Sequence, residues 1–230
     1  MNLRSAPQML EYAAIVARIA RDRPSRTLDW GCGWGQVTSL MVDAGLGVES
    51  FDYRGPDSPN ALIPLERFPH LLAYTSSDPI ALPYEDGTFD AVLSCGVLEH
   101  VSDPDASLDE ISRVLRPGGT LYCFKLPNRY SYLEWIARTV GIYYHGQAPF
   151  DRLYTPQTAR ELLERHGYQL LELRRANMLP LSLTAGFARR AAGPIWRANR
   201  AIARIPLLNV LATNVELVAR TPGPAAVSAK

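Results

Sequence analysis

Cysteine is scarce in this chain: 230 residues hold three, Cys32, Cys95 and Cys123, with no CxxC spacing. That excludes a disulfide framework and a cysteine-based zinc site, and it points to a reducing cytoplasm. Net charge is almost absent as well, +1 from 24 Lys and Arg against 23 Asp and Glu, which excludes a global polyelectrolyte partner such as bulk nucleic acid. No apolar run reaches the roughly 20 residues that a membrane-spanning helix requires. Residues 1–26 lack both the uninterrupted apolar core and the cleavage signal of a secretory leader, so they read as an amphipathic helix, a lid rather than an address. Internal repeats are missing too. What remains is the composition of one soluble domain, 47% apolar and 20% charged, with an elaborated end.

Against that plain background stands TLDWGCGWG, from Thr27 to Gly35. An apolar strand carrying the acid Asp29 runs into three alternating glycines, Gly31, Gly33 and Gly35. Without a Cβ these residues let the chain turn sharply and bring its N–H groups against a ligand. A second strand ends at Asp52, 21 residues after Gly31, the spacing at which a carboxylate meets the hydroxyls of a ribose. The dinucleotide fingerprint GxGxxG is lacking, because the third glycine comes one residue early. A pocket for pyrophosphate at a helix N-terminus is therefore not indicated.

Further motifs follow in order. Ser77-Asp78 precedes a proline, LPYEDGTFDAVLSCGVLEHVSDP opens a short apolar strand into a loop, and EISRVLRPGGTLYCF gives a helix, a Pro-Gly-Gly turn and a strand. From about Leu28 to Asn128 this series resembles the class I S-adenosylmethionine-dependent methyltransferases. The resemblance implies an α/β, Rossmann-like fold with a mostly parallel seven-stranded sheet and helices on both faces. It implies S-adenosylmethionine as cofactor, with Asp29 and the loop residues Gly31, Cys32 and Gly33 orienting its methionyl portion. Asp52, followed by Tyr53, would take the ribose, Ser77-Asp78 the adenine edge, and Ser94 and Cys95 would line the floor. A turn cap before Pro79 is the other reading of Asp78.

Strands alternating with helices independently imply a parallel sheet with its ligands at the carboxyl ends. Helices are expected at Pro7–Arg21, Gly35–Ala44, Ala106–Leu115 and Pro156–Gly167, the last with Thr155 as cap and Pro156 at its first position. Strands are expected at Thr27–Trp30, Val48–Asp52, Leu71–Thr75, Phe89–Ser94, Thr120–Leu126, Tyr168–Arg174 and Leu207–Ala219. Prolines break helix periodicity between Gly55 and Pro69. The resemblance implies a single methyltransferase domain over about 1–220, with a lid-like insertion at 128–155, a basic amphipathic insertion at 176–206 and a disordered tail at 221–230.

The insertion, with Asn128-Arg129-Tyr130-Ser131-Tyr132, His145, Asp151 and Tyr154-Thr155-Pro156, is similar to polyprenyl-quinol O-methyltransferases of ubiquinone synthesis and to methyltransferases of surface-glycan and lipid biosynthesis. That likeness implies a small or lipid-linked hydroxyl acceptor, a quinol, phenol or sugar. A poorly acidic hydroxyl needs a base, and His100 is the best placed candidate, with His145 second. Bracing of the loop by Glu99-His100 is the other reading. Some quinol methyltransferases bind a divalent ion in this loop through an extra acid; Gly96 occupies that position here, so no metal is expected. An N- or C-methyltransferase of a small metabolite, or a cofactor-binding scaffold without turnover, stays open on the sequence.

The positive charge concentrates in Leu173–Pro206, where seven arginines stand without an Asp or Glu. Between Gly186 and Pro206 apolar residues recur at helical spacing while Arg190, Arg197, Arg200 and Arg204 share another face. Such a helix can lie on an anionic membrane, making the enzyme peripheral on the inner face, or can pack its apolar stripe on the domain. Few aromatics interleave with these arginines, so nucleic acid is not expected as a partner. The oligomeric state is open.

Overall fold

Short segments rich in β-branched and aromatic residues carry the framework. They are β1 (Thr27–Trp30), β2 (Val48–Tyr53), β3 (Ala73–Ser76), β4 (Phe89–Cys95), β5 (Leu115–Pro127), β6 (Gln169–Ala176) and β7 (Asn214–Arg220). The computed structural model describes residues 7–53, 73–141, 151–179, 181, 186 and 190–223. The seven strands form one sheet in the order β3-β2-β1-β4-β5-β7-β6. The β1–β2, β1–β4, β2–β3 and β4–β5 pairs are parallel, and β7 runs antiparallel to both β5 and β6. The strand order reverses at β1/β4, the place where open parallel sheets leave a crevice at their carboxyl ends.

Helices cover both faces. On one, α1 (Pro7–Arg21) and α2 (Gln36–Asp43) bury Ile15, Val16, Ile19, Val37 and Met41 against Leu93, Tyr122 and Phe124. On the other, α3 (Pro104–Val114) and α5 (Pro156–Arg165) bury Leu108, Ile111, Leu162 and Leu163 against Leu28, Val92 and Leu121. Each such side chain contributes roughly 1.5–3 kcal/mol of transfer free energy. The amino-terminal helix, expected as a lid, is thus part of the core wall. Two further helices are α4 (Tyr132–Thr139) in the 128–155 insertion and α6 (Ala192–Ile202) in the basic stretch.

Helix starts follow their caps. Ala106 N–H donates to Asp103 Oδ1 at 3.0 Å and Pro104 occupies the first turn, so α3 begins two residues before the expected Ala106. In α5 the Thr158 N–H donates to Thr155 Oγ1 (3.0 Å) and the Thr155 N–H to Thr158 Oγ1 (2.9 Å), a reciprocal capping box. The last strand differs from expectation. Leu207 takes φ +68° and Leu208–Leu211 form a 3-10 turn, so β7 starts only at Asn214. An apolar run cannot by itself distinguish a strand from an exposed turn. The Gly55–Pro69 passage, His145, and residues 224–230 of the tail lie outside the described residues.

Candidate active site

The strand register puts the singled-out residues in one row. Trp30 pairs with both Phe51 and Ser94, so the next residues, Gly31, Asp52 and Cys95, leave three adjacent parallel strands side by side. Asp52 and Tyr53 in turn pair with Thr75 and Ser76, which brings Ser77-Asp78 to the same edge. The glycine loop then folds back on β2: Gly31 and Cys32 N–H both donate to Phe51 O (2.8 and 3.0 Å), and Gly35 N–H donates to Cys32 O (2.9 Å). Gly31 sits at φ +74° and a Cβ there would come within 2.4 Å of Val97 Cγ2, whereas a Cβ on Gly33 would point into open space. The loop therefore has one residue jammed against the protein and one facing an opening, the form of a cradle for a close-lying ligand.

Two carboxylates hold this loop. Gly33 N–H donates to Asp52 Oδ2 at 2.8 Å. Asp29 lies beneath, buried, and accepts from Thr38 Oγ1 at 2.6 Å; Ser50 Oγ donates to the same hydroxyl at 3.1 Å. Burial, assisted by Asp52, pushes Asp29 up to about 6 against the pull of Thr38. Asp29 thus ties the end of β1 to α2 instead of facing the opening. Asp78 is exposed and its Oδ1 accepts from Ile80 and Ala81 N–H, both at 2.8 Å, so the turn-cap arrangement is present; those two N–H groups hold the carboxyl below its usual range. Ser94 is buried near Cys123 on the α3/α5 side, while Cys95 packs on the α1/α2 side. Burial pushes the thiols of Cys32 and Cys95 far up, which leaves neither as a nucleophile.

After β4 the chain descends through Gly96 to His100, and the end of the 128–155 insertion docks on it. Arg152 N–H donates to Glu99 O (3.0 Å) and Tyr154 OH to Leu98 O (3.3 Å). This docking sets His100 Nδ1 2.6 Å from Asp151 Oδ1, with Nε2 3.8 Å from Glu99 Oε1. His100 is half exposed, but both acids are buried. Burial pushes Glu99 up to about 7, partly offset by His100, and among the described residues its Oε2 has no hydrogen-bond partner. Asp151 was visible in the sequence as part of the insertion, though its pairing with His100 was not.

Glu11 and Lys125 carried no expectation. Lys125 Nζ lies 3.2 Å from Glu11 Oε2 and 5.2 Å over the Tyr12 ring. Burial pulls the ammonium down, but Glu11 and its other neighbours raise it on balance. The cue in the sequence was rarity: Lys125 and Lys230 are the only lysines. Glu11 also accepts from Asn177 Nδ2, and Asn199 Nδ2 donates to Asn177 Oδ1 (2.8 Å), so α1, β5, the end of β6 and α6 meet at one polar knot beside the strand ends. Among the described residues no group of three or more His, Cys, Asp and Glu could hold a metal ion.

Comparison with known proteins bears on this geometry. Residues 28–123 match a family model described as a methyltransferase domain. The chain is 29% identical over 196 residues to a ubiquinone biosynthesis O-methyltransferase of Dinoroseobacter shibae, covering 76% of each chain. The matched domain and this relative support a class I S-adenosylmethionine-dependent methyltransferase. A second ubiquinone biosynthesis O-methyltransferase, from Cereibacter sphaeroides, is 30% identical over 149 residues, 62% of this chain and 59% of that relative's length. The fold is shared with the Burkholderia thailandensis 1,6-didemethyltoxoflavin-N1-methyltransferase, solved with bound S-adenosylhomocysteine, at TM-score 0.58 and 19% identity over 93% of this chain and 78% of the other. For this methyltransferase the cofactor is S-adenosylmethionine, and the cradle, with its open Gly33 and the neighbouring Asp52, fits a ligand with an amino-acid end and a ribose.

Proposed function

We propose that this methyltransferase transfers the methyl group to a hydroxyl oxygen of a small or lipid-linked acceptor, a quinol, phenol or sugar. The observation that carries the reading is the His100–Asp151 pair beside the glycine loop. A buried carboxylate at 2.6 Å from Nδ1 holds the proton there and leaves the lone pair on Nε2. That nitrogen takes the acceptor's hydroxyl proton, and the imidazolium so formed lies between Asp151 on the Nδ1 side and Glu99 on the Nε2 side. The names of the relatives, O-methyltransferases at 29% and 30% identity, support oxygen as the acceptor atom.

S-adenosylmethionine, when bound, supplies a methyl group on a sulfonium sulfur. The backbone of Gly31, Cys32 and Gly33 would hold its amino-acid end, Asp52 and Tyr53 its ribose, Ser77-Asp78 the adenine edge and Cys95 the floor. Asp29 acts on this pocket through Thr38, and Ser94 through its packing beneath the strand ends. Holding the acceptor oxygen in line with the methyl group lowers the barrier by fixing orientation before reaction, and His100 adds the proton transfer.

The test is transfer of labelled methyl from S-adenosylmethionine into lipid and phenolic extracts by the wild type, His100→Gln and Asp151→Asn. Removal of a general base costs about 10²–10⁴-fold in rate, so both variants are expected to fall in that range while binding the cofactor within twofold of wild type. A His100→Gln enzyme that keeps full rate would overturn the base. Cofactor binding with no labelled product in any extract would instead favour the scaffold reading.

A further inference from the structure

The insertion and the segment before β7 share one surface, and it is unlike the rest of the molecule. Trp135 on α4 is 69% exposed, Leu207 86% exposed and Leu211 42% exposed. A cavity of about 850 Å³ opens beside Trp135 and Leu211, walled by Arg129, Tyr130, Trp135, Leu153 and Leu211 among others, with Leu207 four residues before Leu211. Leu207 takes φ +68° and ψ −44° with Leu208 N–H donating to Pro206 O at 2.8 Å, a strained γ-turn. Exposed Leu or Trp side chains scattered singly need no account; a contiguous set around a cavity does.

The charge around this set has one sign. Arg129 and Arg138 flank the cavity, and α6 carries Arg197 and Arg200 toward Arg204 just before Leu207. All five are exposed and form no salt bridge among the described residues. No acid lies between Leu173 and Asn214, and Glu134 of α4 is buried. In α6 the buried positions are Ala192 and Asn199 rather than the expected apolar stripe, whose Ile195 and Ile202 are partly exposed and Ala198 exposed; Asn199 Oδ1 accepts from Met178 and Leu179 N–H (2.7 and 2.9 Å). Its basic side stays outward.

We propose that this face docks on an anionic lipid bilayer, with Trp135, Leu207 and Leu211 entering the interface and the arginines meeting the lipid phosphates. A bilayer supplies apolar and anionic surface in adjacent layers, which is the layout of the patch. Docking so would set the cavity against the lipid, and Leu153 in its wall is two residues from Asp151, so a lipid-borne acceptor entering there approaches the His100–Asp151 pair. The proposal deepens the lipid-linked acceptor proposed above. Its test is read without methyl transfer, so the two can fail separately.

Flotation of the full chain with vesicles of phosphatidylcholine alone, and with phosphatidylglycerol added, decides it. Binding is expected to the phosphatidylglycerol vesicles only and to weaken as salt rises. Trp135→Ser with Leu207→Ser, and separately Arg197→Gln with Arg200→Gln and Arg204→Gln, should each lower the partition at least tenfold, since each arginine contributes about fivefold. Cofactor affinity within twofold of wild type verifies the fold of both variants. Absence of binding to phosphatidylglycerol vesicles at low salt overturns the proposal, as does unchanged binding by the variants. A self-association in sedimentation that Trp135→Ser with Leu207→Ser abolishes, without vesicle binding by the wild type, would assign the face to a second copy instead.

Discussion

Glu99→Gln separates what the fold tolerates from what the chemistry uses. Glu99 is 4% exposed in its side chain and burial raises it from 4.5 to about 7. The folded chain thus holds the Glu99 proton more tightly than the unfolded chain. The stability tied to that proton is complete below about pH 4.5 and is lost as pH rises through 7. The difference of about 2.5 units corresponds to roughly 3 kcal/mol. Glutamine matches the neutral acid in shape and never ionises, but its buried amide lacks a partner where Oε2 lies, a cost of about 1 kcal/mol. The variant is therefore expected to be about 1 kcal/mol less stable than wild type at pH 4.5 and about 2 kcal/mol more stable at pH 8. Urea unfolding of both proteins across that range measures it, and Asp29, also raised to about 6 by burial, titrates in both and cancels. A stability difference that stays flat with pH would refute the buried-charge account. If Glu99 also steadies the proton on Nε2, 3.8 Å away, the same substitution lowers kcat about tenfold while raising stability at pH 8.

Gly31→Ala would place a Cβ 2.4 Å from Val97 Cγ2 at φ +74°; the left-handed backbone and the overpacking together cost about 2–4 kcal/mol, and calorimetry should show cofactor affinity at least tenfold weaker. Asp52→Ala removes the acceptor of the 2.8 Å bond from Gly33 N–H along with a carboxylate at the ribose position. Loss of that charge-assisted bond, worth about 1.5–3 kcal/mol, should lower Tm by several degrees, and loss of the carboxylate at the ribose position should weaken affinity for S-adenosylmethionine roughly 10–100-fold. Lys125→Met strands the buried Glu11 carboxylate and should cost about 3–5 kcal/mol in urea unfolding. Pairing it with Glu11→Gln should return most of that loss, and failure of the pair to do so would mean the ion pair is not what holds the two groups.

Local chemistry made much of the framework legible. Gly31, Gly33 and Gly35 all take positive φ, as the turn after β1 demands, and Thr155-Pro156 starts α5 through a cap whose rules act within four residues. The alternation of strands and helices predicted the parallel sheet for the same reason: each element needs only its own periodicity. Where a local signal had two outcomes, the tertiary setting chose. The apolar run from Leu207 to Leu211 satisfied a strand pattern, yet it stands in an exposed turn because Asn128 Nδ2 takes Val210 O and Ala212 O (2.9 and 2.7 Å), groups a sheet ladder would have claimed.

The parts of the site that the sequence did not disclose are pairs between distant segments. Asp151 reaches His100 across 51 residues, Lys125 reaches Glu11 across 114, and Asn177 reaches Glu11 across 166. No periodicity spans such separations, and each residue alone reads as a surface polar group. Lys125 and Asn177 moreover adopt left-handed backbones, φ +65° and +63°, a region that favours glycine and, less strongly, Asn, and both side chains are held by Glu11. That argues for a division within the site. The glycine loop is specified by its own glycines together with Phe51 O and Asp52 of the adjacent strand. The His100–Asp151 pair is specified by how residues 151–154 dock on the loop after β4, where the Arg152 guanidinium donates to Val101 O and to Ser102 O (2.8 Å), so Arg152→Ala, which removes those two contacts, should lower methyl transfer without weakening cofactor binding.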